Sequence, residues 1–251
     1  MCDTCGCSNE SDVVTIQIPG QKKKIIHPHE HNHSHPHKKK LTIEKDILGK
    51  NNLIANNNRQ YFNDKGIIAL NLMSSPGSGK TTLLERTISS LKKDLCIYII
   101  EGDQQTSNDA NRIEALGVPV IQINTGNGCH LDAEMICKAI NELNPVEKSI
   151  VIIENVGNLV CPSLFDLGEH KKVVIISTTE GEDKPIKYPT MFDAADVCVI
   201  NKMDLLSYVD FSVDKCKSYA IQVNNNLEFF ELSCKTNEGL DNWFKWLKKQ
   251  V

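Results

Sequence analysis

A doubly wound α/β fold with a mostly parallel sheet of about seven strands is predicted by three features of this 251-residue sequence. The first is a series of short apolar runs from Gly66 onward, at 67–73, 96–100, 118–123, 150–153, 173–176, 197–200 and 227–232. Most are rich in Val and Ile, the composition of strands buried on both faces. The second is the set of amphipathic stretches between several of them, at 81–91, 110–116, 133–143 and 213–221, with a closing helix at 240–247. Strand and helix in alternation imply parallel pairing, and ligands of such a sheet bind beyond the carboxyl ends of its strands. The third is a glycine-rich turn, Ser74-Ser75-Pro76-Gly77-Ser78-Gly79-Lys80-Thr81-Thr82, between the first run and the first amphipathic stretch.

The segments ahead of this pattern differ from it. Residues 1–40 hold Cys2, Cys5 and Cys7, a lysine run at either side of a histidine tract, and no lasting apolar periodicity. They read as a mostly disordered leader. In 41–65, Ile43, Ile47, Leu48 and Ile54 fall roughly on one face, which predicts a short docking helix or linker. Gly49 and the asparagines Asn56, Asn57 and Asn58 count against it. Residues 66–251 form the main domain.

Net charge is −4, unevenly spread. Residues 1–65 carry ten Lys/Arg against seven Asp/Glu, and the remainder eighteen against twenty-five. An acidic main domain argues against nucleic-acid binding. No apolar run is long enough to cross a membrane, and the first residues lack a charged start followed by an apolar core, so no secretory signal is expected. A cytoplasmic location follows as the expectation, with the ten cysteines reduced and available for metal or redox chemistry.

The glycine-rich turn matches the phosphate-loop pattern G-x-x-x-x-G-K-[ST] except that Ser74 takes the first position. Gly77 and Gly79 let the backbone curl, so that the N–H groups of the loop, Ser78 among them, face an anion at the N-terminus of a helix starting with Thr81 and Thr82. Lys80 can reach β- and γ-phosphates, and the Thr81 hydroxyl can ligate Mg²⁺, which makes the expected fold a P-loop NTPase. The run at 197–200 leads into Asn201-Lys202-Met203-Asp204. A carboxylate at Asp204 accepts from guanine N1–H and N2–H₂, a pair of donors adenine lacks. Lys202 can lie along the base, and Asn201 can tie the loop together. Ser233-Cys234-Lys235, after the last run, would close the base pocket. Asp103 and Glu154 end two other runs and can hold Mg²⁺ directly or through water. Gly157 can offer its N–H to the γ-phosphate. Lys80, Asp103 and Glu154 are therefore the expected catalytic residues, and the reaction is GTP hydrolysis to GDP.

The strings NTGNGCHLDAEM, IENVGNLVCP and TTEGEDKPIKYP, with the leader CDTCGC, resemble the HypB family, the nickel-inserting GTPases of hydrogenase maturation. The resemblance covers nearly all of 66–251 and the extreme N-terminus. The related UreG proteins of urease maturation carry a C-P-H triplet where this chain reads Cys129-His130, and Cys161 follows in LVCP. The resemblance implies a SIMIBI-class GTPase, a GTP-dependent homodimer, and partners among the other hydrogenase-maturation proteins and the hydrogenase large subunit.

Cys129, His130 and Cys161 form one candidate metal site, since their loops leave the same edge of the predicted sheet. Thiolate plus imidazole suits Ni²⁺ or Zn²⁺. Cys2, Cys5 and Cys7 form a second, because C-x-x-C-x-C brings three sulfurs to one ion without any fold. The resemblance implies a tight nickel site there. His27, His29, His31, His33, His35 and His37 alternate with small or proline spacers and make a weak metal buffer. The other cysteines, Cys96, Cys137, Cys198, Cys216 and Cys234, are expected to pack as small hydrophobes. Rival readings are a metal-storage protein with vestigial nucleotide binding, a UreG-like GTPase, and a small-molecule kinase, which N-K-x-D argues against.

Overall fold

A computed structural model of the chain describes residues 14–17, 24–26, 38–103, 108–126 and 128–251. In chain order the elements are β1 (Val14–Gln17), β2 (Lys24–Ile26), α1 (Lys38–Asp64), β3 (Ile68–Ser74), α2 (Lys80–Leu91), β4 (Ile97–Asp103), α3 (Asn108–Glu114), β5 (Val120–Asn124), α4 (Ala133–Leu143), β6 (Ile150–Glu154), α5 (Cys161–Leu164), β7 (Lys171–Ser177), α6 (Lys184–Lys187), α7 (Pro189–Ala194), β8 (Val197–Asn201), α8 (Val213–Val223), β9 (Glu228–Glu231) and α9 (Leu240–Lys248). A 3-10 turn, Met203–Tyr208, follows β8. Among the described residues no helix is long and apolar enough to cross a membrane.

All strands lie in one sheet of order β2-β1-β5-β4-β6-β3-β7-β8-β9. The seven from β5 to β9 pair in parallel, as the apolar runs predicted. The two strands at the edge did not register in the sequence. They lie within the leader, pair antiparallel to each other, and β1 sets Ile16 opposite Ile123 of β5. At three and four residues they are too short to stand out from a polar surrounding, yet they cover what would be an open edge of β5.

Alternate residues of each parallel strand feed opposite faces, as a period of two requires. Leu70, Leu72, Ile152 and Ile175 face α2 and α9, where Leu83, Ile88, Trp243 and Leu247 are buried against them. The indole of Trp243 satisfies its N–H on Thr87 Oγ1 at 3.0 Å. Ala69, Ile100, Ile123 and Ile153 face the other way, toward Ile136 and Ile140 of α4 and Phe62 of α1.

Helix α1 runs for 27 residues, through Gly49 and the asparagines that count against it. Tertiary contacts override local preference here. Asn58 Nδ2 donates to the carbonyls of Ala133 (2.8 Å) and Leu167 (3.0 Å). Asn51 accepts from Ala133 N at 2.9 Å and donates to the Asp166 carbonyl at 2.8 Å. Arg59 grips the Asp166 carboxylate at 2.6 and 2.8 Å. The helix is thereby bound both to the start of α4 and to the segment before β7. Gly168 makes the close approach at φ +91°. A Cβ there would stand 2.6 Å from Ala55 O and 2.7 Å from Asn58 Cβ. We expect Gly168→Ala to destabilise the protein by roughly 3 kcal/mol, from left-handed strain plus the clash. A urea midpoint unchanged from the parent would show that α1 is not held at this point.

Candidate nucleotide and metal site

The phosphate loop connects β3 to α2. Gly77 and Gly79 adopt φ of +78° and +95°, conformations that favour glycine. A side chain at Gly79 would also strike Asn201, whose Nδ2 lies 2.4 Å from the position of a Cβ. The loop opens on a cleft of about 450 Å³ lined by Gly77, Ser78, Gly79, Lys80, Thr81, Thr82, Asp103, Glu154, Gly157 and Lys202. These residues come from the ends of β3, β4, β6 and β8, the carboxyl edge of the sheet.

Glu154 is the electrostatic centre of the cleft. Its Oε1 accepts from Lys80 Nζ at 3.1 Å and from Thr81 Oγ1 at 2.6 Å, with 3% of its side chain exposed. Its Oε2 is buried and, among the described residues, has no hydrogen-bond partner, and neither has Ser78 Oγ. An anionic oxygen so placed, with a hydroxyl and the nearby Asp103 carboxylate, is a hard-oxygen donor set of the kind Mg²⁺ takes. Asp103 ends β4 half-buried beside it.

The base loop is tied to the phosphate loop through Asn201. Its Nδ2 donates to Ser78 O at 2.9 Å, while its Oδ1 accepts from Lys202 N (2.7 Å) and Cys234 N (3.2 Å). Lys202, at φ +62°, lays its side chain across the loop so that Nζ donates to Gly77 O at 2.7 Å. Asp204 Oδ1 accepts from Ser233 Oγ at 2.6 Å. Ser233 Oγ in turn accepts from the N–H groups of Lys235 and Thr236 at 3.2 and 3.1 Å. Burial pushes the Cys234 thiol up to about 11, so it stays protonated and serves here through its backbone.

Beside this cleft Cys129, His130 and Cys161 come together. Cys129 and His130 lie in the loop after β5, and Cys161 opens α5. The two sulfurs are 2.9 Å apart, beyond the roughly 2.05 Å of a disulfide. Cys129 Sγ is 3.6 Å from His130 Nδ1, and the three ligand atoms lie within 4.8 Å of one another. Donors about 2.0–2.3 Å from a common ion stand about 3.5 Å apart, so small adjustments bring all three to one metal. Phe165 stacks on the imidazole with centroids 3.9 Å apart. Burial pushes His130 down to about 4, so it is neutral near pH 7, the form that ligates a metal. Among the described residues no other group of this kind occurs.

Cys2, Cys5, Cys7 and the histidines His27 to His37 lie outside the described residues. Of the remaining cysteines, Cys198, Cys216 and Cys234 are buried as small hydrophobes, but Cys96 is exposed, one residue before β4. It belongs to the turn and not to the apolar strand in which the sequence had placed it.

A family model described as "CobW/HypB/UreG, nucleotide-binding domain" matches residues 68–231. The hydrogenase maturation factor HypB of Rhizobium leguminosarum bv. viciae is 55% identical over 208 residues, covering 83% of this chain and 70% of the relative. That of Escherichia coli K12 is 54% identical over 210 residues, covering 84% and 72%. The chain belongs to the HypB family. Two solved HypB structures agree with this assignment. The HypB of Archaeoglobus fulgidus superposes with a TM-score of 0.76 at 39% identity, covering 80% of this chain and 98% of that one. The HypB of Helicobacter pylori, solved in complex with nickel, gives 0.75 at 40% identity, covering 80% and 94%.

In this HypB-family chain some site residues escaped motif reasoning. Glu180 accepts from Ser75 Oγ and, at 3.0 Å, from Ser177 N, and so backs the phosphate loop from behind. It sits in TTEGEDKP, a string that carried the resemblance but suggested no role. Phe165 and Asn155 gave no signal, since apolar and amide side chains are common and their partners are distant in sequence.

Proposed function

We propose that this chain is a GTP-hydrolysing nickel metallochaperone of nickel-iron hydrogenase maturation, working in the cytoplasm as a GTP-dependent homodimer. Residues 1–40 serve as its metal-binding leader, 41–65 as a helical linker and 66–251 as its GTPase domain. The observation that carries the reading is a short one. Glu154 holds Lys80 and Thr81, and seven residues later Cys161 closes on Cys129. The names of the relatives and the nickel in the Helicobacter pylori complex support the same reading.

Asp204 reads guanine, Asn201 and Lys202 hold that loop against the phosphate loop, and Lys80 neutralises β- and γ-phosphate charge. Thr81, Asp103 and Glu154 would hold Mg²⁺, which when bound spreads the charge developing on the phosphates. Lys80 pairs with Glu154 at 3.1 Å, so a bound phosphate and the Glu154 carboxylate would share its ammonium. Gly157 packs against Pro76 of the phosphate loop, 3.3 Å from the position of a Cβ, and its N–H would serve the γ-phosphate. Loss of that phosphate releases the segment leading to Cys161, and metal affinity changes with it. Nickel is the cargo, and Zn²⁺ suits the same donors.

Ni²⁺ titration with GDP and with a non-hydrolysable GTP analogue is expected to give affinities about tenfold apart. Equal affinities defeat the coupling. In native mass spectrometry, Cys129→Ala/Cys161→Ala is expected to lose the ion held at this site, and alanines at Cys2, Cys5 and Cys7 to lose a separate one. A double variant that keeps the full stoichiometry would exclude Cys129 and Cys161 as ligands.

A further inference from the structure

Between the nucleotide cleft and the metal loop stands Asn155, to which nothing above gives a role. It follows Glu154 directly and is fully buried. Its backbone N–H donates to Leu72 O at 3.0 Å. Its side-chain Oδ1 accepts from Leu131 N at 3.2 Å and from Val156 N at 2.9 Å, and Nδ2 donates to Asn71 Oδ1 at 3.2 Å. Leu131 is the residue after His130. One side chain therefore reaches from the peptide beside the Lys80–Glu154 pair to the peptide beside a metal-ligand candidate.

We propose that Asn155 is the positioning residue through which nucleotide state reaches the metal site, a role that rests on the coupling proposed above. The Leu131 side chain is wedged against Gly102, where a Cβ would lie 2.8 Å from its methyl carbon. Gly102 stands between Glu101 and Asp103 on β4. Leu131 is thus pinned at its side chain and held at its N–H by Asn155. A buried N–H that loses its acceptor is penalised, so the peptide follows Asn155 when Asn155 moves. With the side chain fixed, that motion tilts the His130–Leu131 peptide and turns the imidazole and the neighbouring Cys129 sulfur relative to Cys161. The link is a contact between packed groups, and its two ends are the residues that each ligand changes.

The test compares two alanine variants in the full chain. Asn155→Ala and Asn71→Ala both lose the Asn155–Asn71 bond, but only the first loses the anchor on Leu131 N–H. Ni²⁺ affinity is measured with GDP and with GMPPNP. The ratio of the two affinities, about tenfold in the parent, should fall to within about twofold of one in Asn155→Ala and persist in Asn71→Ala. A ratio that survives in Asn155→Ala, or collapses equally in both, overturns the role of Asn155 and leaves the coupling standing. A ratio of one in the parent overturns the coupling and this role together. Should Asn155→Ala fail to fold, amide exchange at Leu131 in the unaltered chain decides. Protection should differ severalfold between GDP and GMPPNP without nickel, and identical protection overturns the proposal.

Discussion

Lys80→Ala is expected to lower GTP turnover by 10²–10³-fold, on the order of what is lost when one preorganised charge at a transferring phosphoryl group is removed. The lysine opens α2 from a loop whose geometry Gly77, Gly79 and Asn201 impose, so its ammonium is delivered to one place. The same substitution has a second consequence. It leaves Glu154, almost wholly inside the protein, with only the Thr81 hydroxyl on Oε1. Removing one partner from a buried ion pair costs roughly 3–5 kcal/mol. The variant should therefore unfold earlier in urea as well as turn over slowly, and Mg²⁺ should restore part of the loss. Nickel stoichiometry should stay at the parent value, because the candidate ligands are Cys129, His130 and Cys161 and do not include Lys80. Single-turnover hydrolysis, a urea melt and native mass spectrometry check the three parts. Turnover within about tenfold of the parent would remove Lys80 from the chemistry and favour a storage role.

How much of this was legible in the sequence follows from how far each interaction reaches along the chain. The seven parallel strands were visible because β-branched runs buried on both faces leave a local mark. Turn geometry at Gly77 and Gly79 and the sequence Asn201-Lys202-Met203-Asp204 are equally local. Helix α1 was legible only in part. Intrinsic preference counted Asn58 against it, whereas the fold uses that amide to hold two carbonyls from segments 75 and 109 residues away. Strands β1 and β2 are shorter than any reliable periodicity. The residues Cys129, His130 and Cys161 could be named from their strings, but the stacking of Phe165 on the imidazole and the reach of Asn155 to Leu131 could not. Both depend on how the ends of β5 and β6 lie across β4, which only the assembled sheet determines.

Asp204→Asn is expected to exchange guanine for xanthine as the preferred base. The carboxylate follows β8, in the 3-10 turn that Lys202 enters at positive φ. Ser233 orients it, since Oγ spends its acceptor capacity on the N–H groups of Lys235 and Thr236 and directs its own hydrogen to Asp204 Oδ1. Held so, Asp204 would present acceptors to guanine N1–H and N2–H₂. An asparagine puts an amide donor where one acceptor stood. Two donors then meet at the guanine amino group, while xanthine, with a carbonyl at that carbon, finds a partner. A site built to hydrogen-bond one group rejects the mismatched one by a factor on the order of 10⁴, of which a single amide should forfeit at least 10². KM for GTP should rise by that amount and KM for the xanthine nucleotide should fall, with kcat for the matched pair close to the parent because Lys80, Thr81 and Glu154 are untouched. Ser233→Ala should give a weaker, unswitched loss of about tenfold, since it removes orientation and leaves the charge in place. If Asp204→Asn leaves the base preference unmoved, the carboxylate does not read the base. The Ser233 contact would then be only a tie between the β8 and β9 loops.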